Sequence, residues 1–367
     1  MVQRVLSEAR VRKIGVFVLL VMACFLCVPS LQASKKNKQQ PVLAAPPDLL
    51  LEGGRKLTYE RSFSSEKEVR KKPGFFGKIL NVVAGEPDMH GLVRPYSIAV
   101  DSRGRAIITD PGAGGVHIFD FEQKKYKFIE RYEKGRDAML VPQCVAVDAQ
   151  DNFYVTDSKV GKIFVFNADG KYQRALGSLK GGEGFFKRPT GIAVDSAAQR
   201  IFVSDTLRNK IYMLDMQGSV LRTIGKSGQD DGEFDYPTEL KLEGNELAVV
   251  DALNFRVQLV SDDGTFKTSI GKIGDSSGTT FRPKGVAIDS EHHYYVVDGL
   301  WGVVQVFDRE GRLLYYFGGR GTAPGDFQLP AGVFIDRNDR IFVVDSFNRR
   351  IQVFHYFGQK QGTGSGL

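Results

Sequence analysis

Cysteine, tryptophan and histidine are scarce in this chain, and only one long apolar run occurs. Of 367 residues, three are Cys, one is Trp and five are His. Cys24 and Cys27 lie inside the apolar run, which leaves Cys144 alone in the rest of the chain and excludes an intramolecular disulfide there. Their C-x-x-C spacing, set among apolar residues, reads as accidental rather than as a redox or zinc motif. A tetrahedral zinc site needs three or four converging ligands, and the histidines are scattered at His90, His117, His292, His293 and His355. Charge of one sign is also missing where it would matter. The formal net charge is +7, but residues 1–93 hold 15 basic and 8 acidic side chains, while 94–367 hold 35 of each. A globally basic surface for a phosphate backbone is therefore excluded for the larger part of the chain.

The one apolar run, Ile14 to Val28, follows Arg4, Arg10, Arg12 and Lys13 and precedes Gln32-Ala33-Ser34. This order reads as an export signal over residues 1–33, cleaved after Ala33. Two alternatives stay open. The first is a retained anchor, although the run is short against the roughly 20 apolar residues of a membrane span. Val21-Met22-Ala23-Cys24 is similar to a lipoprotein box with Cys24 as the lipidated residue, against which stand the apolar Phe25 and Leu26 just after it. Periplasmic or envelope location is the expectation, with membrane attachment through the N-terminus as an option.

What the sequence has in abundance is repetition. Prolines recur at Pro95, Pro142, Pro189, Pro237, Pro283 and Pro330, at spacings of 47, 47, 48, 46 and 47. Two residues after each comes a short strand, as in Gly191-Ile192-Ala193-Val194-Asp195. A second strand follows a polar turn and ends in aspartate: Asp110, Asp157, Asp205, Asp251, Asp298 and Asp345. A third strand, such as 162–167 or 303–308, and a fourth, such as 220–225 or 313–318, complete each unit. β-Branched and aromatic runs bounded by Gly, Asp and Asn are hairpin-linked strands, and no helical period is visible over 94–355. Six units of about 47 residues with four antiparallel strands each predict an all-β, six-bladed β-propeller. The sixth unit ends before its fourth strand. Ile79–Ala84 is expected to supply it, closing the ring and covering an exposed strand edge. The predicted organisation is signal or anchor over 1–33, irregular tether over 34–74 with one accessory strand at 57–63, propeller over 75–358 and a flexible tail over 359–367.

The unit Pro-x-Gly-Ile-Ala-Val-Asp, continued in its last copy by Asp345-Ser346-Phe347-Asn348-Arg349-Arg350-Ile351-Gln352-Val353-Phe354, resembles the NHL repeat, in the exported bacterial form. The resemblance covers about residues 78–358. It implies the propeller fold and says little of activity, because NHL propellers include protein scaffolds, RNA-binding modules, receptor sensor domains and a peptide-amidating lyase.

Strand direction places the proline loops and the loops after the aspartates on one face, where propellers usually bind ligands at the channel mouth. The aspartates repeat in every blade, so the reading favoured is that each carboxylate holds its own loop rather than forming a cation rim. Departures from the repeat mark candidate ligand or partner residues. Tyr96, Gln143, Thr190, Thr238 and Lys284 follow their prolines, and Glu239 stands where other units carry Gly, Ser or Cys. A Glu239–Lys284 pair would suit a polar ligand or be a simple ion pair. Trp301 would anchor a partner or pack on a neighbouring blade. Arg208, Arg256 and Arg349 are expected to stabilise loops, with a weaker role in contacts. Gly-rich stretches such as 225–228 precede strands, not helices, and are not phosphate loops.

The sequence thus predicts a non-catalytic, monomeric exported binding or scaffold protein that recognises a partner protein or surface polymer. No cofactor, metal site, catalytic residue or nucleic-acid partner is predicted. The alternatives are a metal-dependent lyase or lactonase-type hydrolase with its site in the channel, and an RNA-binding module.

Overall fold

The computed structural model describes residues 44–70, 89–130, 133–134 and 137–358. Their architecture is a six-bladed β-propeller, and among the described residues the only helices are short 3-10 turns. Blade one comprises Ser97–Val100, Ala106–Asp110, Gly115–Asp120 and Lys125–Ile129, running outward from the axis. Blades two to five repeat this order, beginning at Pro142–Val147, Pro189–Asp195, Pro237–Glu243 and Pro283–Ile288.

Alternation explains why the blades stack. In the second strand of blade three, Ile201 and Val203 face blade two while Phe202 faces blade four. Both faces are covered, so the middle strands read as continuous apolar runs rather than half-polar ones. Six such interblade cores exist, one per pair of neighbours. The core joining Ile98, Ile108 and Phe119 of blade one to Val344, Ile351 and Val353 of blade six completes the circle.

The last blade corrects one expectation. Its strands Val333–Ile335, Arg340–Asp345 and Arg350–Phe357 are followed outward by Lys56–Phe63, in a register running from Lys56 opposite Phe357 to Phe63 opposite Ile351. The predicted accessory strand therefore takes the closing position. The stretch 79–84, to which the sequence assigned that role, lies outside the described residues, as do 1–43 and 359–367. The physical reason is legible afterwards. Leu57 and Phe63 point into the two flanking cores, and Arg61 lies 3.8 Å from the Phe121 ring centre. Leu49–Leu50 adds a short fifth strand outside Lys56–Phe63.

The loop after each second strand ends in a left-handed residue at one repeated position: Gly114, Gly161, Asn209, Phe255, Gly302 and Arg349. At Gly161 a side chain would meet the Phe186 carbonyl oxygen at 2.2 Å, so glycine is required there for space as well as for φ.

Candidate functional site

All six aspartates that end the second strands are fully buried. Each accepts a backbone N–H from the proline loop of its own blade, given by Arg94, Val141, Arg188, Asp235, Arg282 and Gln328 at 2.7–3.2 Å. In blades one, two and five the carboxylate also takes N–H groups from the loop just after the strand, as Asp157 does from Lys159 and Asp298 from Leu300. In blades three, four and six side chains of that segment donate: Arg208, then Asn254 and Arg256, then Asn348 and Arg350. Each carboxylate thus ties the two loops of its blade together on one face. They form a structural ring beneath the surface, not a cation rim.

With the loops held this way, the proline prefix becomes a rim around the channel. A cavity of 410 Å³ opens there, lined by Arg94, Tyr96, Gln143, Arg282 and Lys284 with Leu329 and Phe347. Burial, followed by the neighbouring Arg282 and Arg188, pushes the Lys284 ammonium below its ordinary value. Burial, followed by Cys144 and Glu239, pushes the Tyr96 hydroxyl far up, so it stays protonated. The Arg94 guanidinium lies 5.0 Å from the Phe347 ring centre and that of Arg188 5.5 Å from the Tyr236 ring centre.

One step deeper, the second residue after each proline forms a throat: Ser97, Cys144, Gly191, Glu239, Gly285 and Gly332. Neighbouring first strands approach so closely here that a side chain on Gly191 would meet the Thr238 carbonyl oxygen at 2.1 Å. Glu239 departs from this rule and reaches across Gly191 to Cys144, whose thiol donates to Oε2 at 3.1 Å. Burial raises Glu239 to about 7, against the Cys144 hydrogen bond and the Lys241 charge. Burial also pushes the Cys144 thiol well up, reinforced by Glu239. The raised Cys144 thiol is the opposite of an activated thiolate. Lys241, itself lowered by burial, lies 4.9 Å over the Phe334 ring in a channel segment of 250 Å³.

The opposite mouth is larger, at 470 Å³. Its acids are engaged in their own turns, however: Asp101 by the N–H of Arg103 and Arg105, Asp148 by Gln150 and Asn152, and Asp336 by Asn338 and Arg340. Volume favours that end, while the side chains of Arg94, Arg282 and Lys284, which form no ion pair or hydrogen bond among the described residues, favour the proline end. Recognition depends on the second property, so the proline mouth is the candidate site.

The structure brings Tyr96, Gln143 and Lys284 together in this mouth and sets Glu239 just below them. Glu239 and Lys284 do not form a pair. The charged neighbour of Glu239 is Lys241 on its own strand, and Lys284 sits among cations. Thr190 and Thr238 are buried; the Thr190 hydroxyl bonds Ser204, Thr206 and the Thr238 carbonyl, so it joins blades rather than facing a ligand. Trp301 belongs to a separate 230 Å³ groove with Asp275, Ser276 and Tyr316, and Arg320 lies 5.9 Å over its ring. Arg208 donates to Asp205 and the Phe185 carbonyl, and Arg256 to Asp251 and the carbonyls of Gln229 and Asp230, which makes both loop clamps. Arg349 is exposed on its left-handed backbone.

Two histidines share neighbours: His90 and His117 both pack against Phe128, with ring centres 5.0 and 4.6 Å away, and against Tyr126. His292, His293 and His355 face Glu243, Asp289 and Glu60. Among the described residues no three His, Cys, Asp or Glu are placed to hold a metal ion.

Sequence reasoning missed Arg94, Arg188 and Arg282, although their signal was in register. The residue before each loop proline reads Arg94, Val141, Arg188, Tyr236, Arg282, Leu329, an arginine at every second blade. It also missed the Cys144 contact, which joins residues 95 apart in sequence.

A family model described as a 6-bladed beta-propeller matches residues 135–225 and 288–360. No curated protein sequence matches the chain. Among solved structures, a protein of unknown function from Bacteroides thetaiotaomicron is similar with a TM-score of 0.60 and 14% identity, over 85% of this chain and 84% of that one. An auxiliary nutrient binding protein from the same organism gives 0.55 and 14%, over 72% and 70%. Virginiamycin B lyase from Staphylococcus aureus gives 0.53 and 15%, over 82% and 99%. At these identities the likeness is one of fold alone.

Proposed function

We propose that the chain is an exported, non-catalytic binding protein of NHL type that holds a partner or envelope polymer at the proline-loop face. One observation carries this reading. The proline mouth is an open cavity lined by Arg94, Arg282 and Lys284, whose side chains form no ion pair or hydrogen bond among the described residues, while burial pushes the Cys144 thiol beneath it well up. A lowered pKa activates a nucleophile, and the Cys144 thiol is pushed the opposite way. A binding surface needs concavity, apolar contact and a few oriented polar groups, and the mouth offers Leu329 and Phe347 beside Tyr96, Gln143 and Lys284.

The test is retention of envelope material on the immobilised chain. Phe347→Asp at the proline mouth is expected to abolish retention, and Arg337→Glu on the opposite face to leave it intact. Retention that survives Phe347→Asp and disappears with Arg337→Glu would overturn the choice of face. Turnover of a bound ligand by the folded chain would overturn the non-catalytic reading.

A further inference from the structure

The proline mouth carries a charge pattern that the fold does not need. Arg94, Arg188 and Arg282 precede the prolines of blades one, three and five, so a six-membered ring places them in threefold array around the channel. Lys284 stands inside that array, and the charges felt at its ammonium are those of Arg282 and Arg188. Among the described residues none of these four side chains forms an ion pair or donates a hydrogen bond. Their backbones do the structural work instead: the N–H groups of Arg94, Arg188 and Arg282 bind Asp110, Asp205 and Asp298. Those carboxylates are fully buried beneath the loops and are bonded to the backbone N–H groups rather than to the side chains of these arginines.

Two of the arginines are also held in place. Arg94 lies over Phe347 and Arg188 over Tyr236. A guanidinium held over an aromatic ring keeps its charge and its N–H donors. Preorganised, unpaired donors around a cavity suit an oxyanion, because charge-assisted hydrogen bonds are the strong ones. Like charges gathered without a counterion raise the energy of the unliganded mouth, and an anion relieves it. The neighbouring Leu329 and Phe347 offer apolar contact to whatever carries the charge.

We propose that the mouth binds a compact, multiply charged oxyanion, a di- or tricarboxylate or a phosphate group, held by Arg94, Arg188, Arg282 and Lys284. This rests on the binding reading above and names its ligand class. The group arrives either as a free small molecule or as the charged end of an envelope polymer.

Calorimetric titration of the chain with citrate, with inorganic phosphate and with an oligogalacturonate, beside neutral glucose, separates these sources. Saturable binding of at least one anion and none of glucose is expected, weakening as salt rises from about 20 to about 200 mM. Arg282→Gln combined with Lys284→Gln should weaken that binding about tenfold or more. Lys267→Gln, on the outer strand of blade four, should leave it unchanged. A preference for citrate or phosphate assigns a free anion, and a preference for the oligomer assigns a polymer. Absence of binding to the folded chain, or binding indifferent to the double substitution, would overturn the proposal. Anion binding can fail while Phe347→Asp still abolishes envelope retention; then the ligand class falls and the binding face stands. The reverse result would remove the face and keep the anion site.

Discussion

Replacing Glu239 with glutamine should make the propeller more stable at alkaline pH and leave it little changed at acid pH. The carboxyl lines the throat, where burial raises it from 4.5 to about 7. The folded chain therefore holds a proton that the unfolded chain has released between pH 4.5 and about 7. Stability falls as pH rises through that window and is flat above it. The span corresponds to a loss on the order of 3 kcal/mol by about pH 8. Glutamine keeps the shape, can accept the Cys144 thiol, and has no charge to bury. An offset comes from Lys241, which loses the opposite charge that helps it stay ionised. The net expectation is a gain for Glu239→Gln of about 1–3 kcal/mol at about pH 8 relative to about pH 5. Urea unfolding of both chains at the two pH values gives the difference directly. Other titrating groups, such as His293, whose value is raised by its bond to Asp289, are common to both and cancel. Parallel stability profiles across the whole range would refute the argument, because they would mean that Glu239 is ionised in the folded throat at no cost.

Two further substitutions probe the ring. Phe63→Ala removes a 2% exposed side chain from the closing strand, where it packs 5.1 Å from Phe119 and 4.9 Å from Phe121; a loss of about 3–5 kcal/mol is expected in denaturant unfolding, and a loss below about 1 kcal/mol would show that Lys56–Phe63 does not close the blade. Gly191→Ala should cost about 1–3 kcal/mol or more, since its Cβ would meet the Thr238 carbonyl at 2.1 Å. Gly181→Ala, with nothing within 4 Å, should stay within about 0.5 kcal/mol, and equal thermal shifts for the two would refute the close approach of blades three and four.

Most of the fold was legible because a propeller repeats its instructions. Proline spacing, strand alternation and the terminal aspartates each recur six times, so one misread unit is outvoted by five others. The role of the aspartates was legible for the same reason, as a feature present in every blade serves the blade. Closure was harder. Ile79–Ala84 has the β-branched, apolar character of a strand and lies nearer Pro95, whereas Leu57–Phe63 carries Glu60, Arg61 and Ser62 among its apolar residues. The choice of Lys56–Phe63 depends on two side chains, Leu57 and Phe63, fitting cores built by blades five, six and one.

By itself, the sequence determined the blade count, the strand order within a blade and the face on which the proline loops gather, because these follow from local period and alternation. Only the tertiary structure decided which residues meet around the axis. Ring closure sets Cys144 against Glu239 across Gly191, puts Trp301 in a groove away from Lys284, and brings Arg94 and Arg282, far apart in the chain, to one mouth with Lys284. Such contacts join residues far apart in the chain through the radial packing of sheets, which no local periodicity encodes.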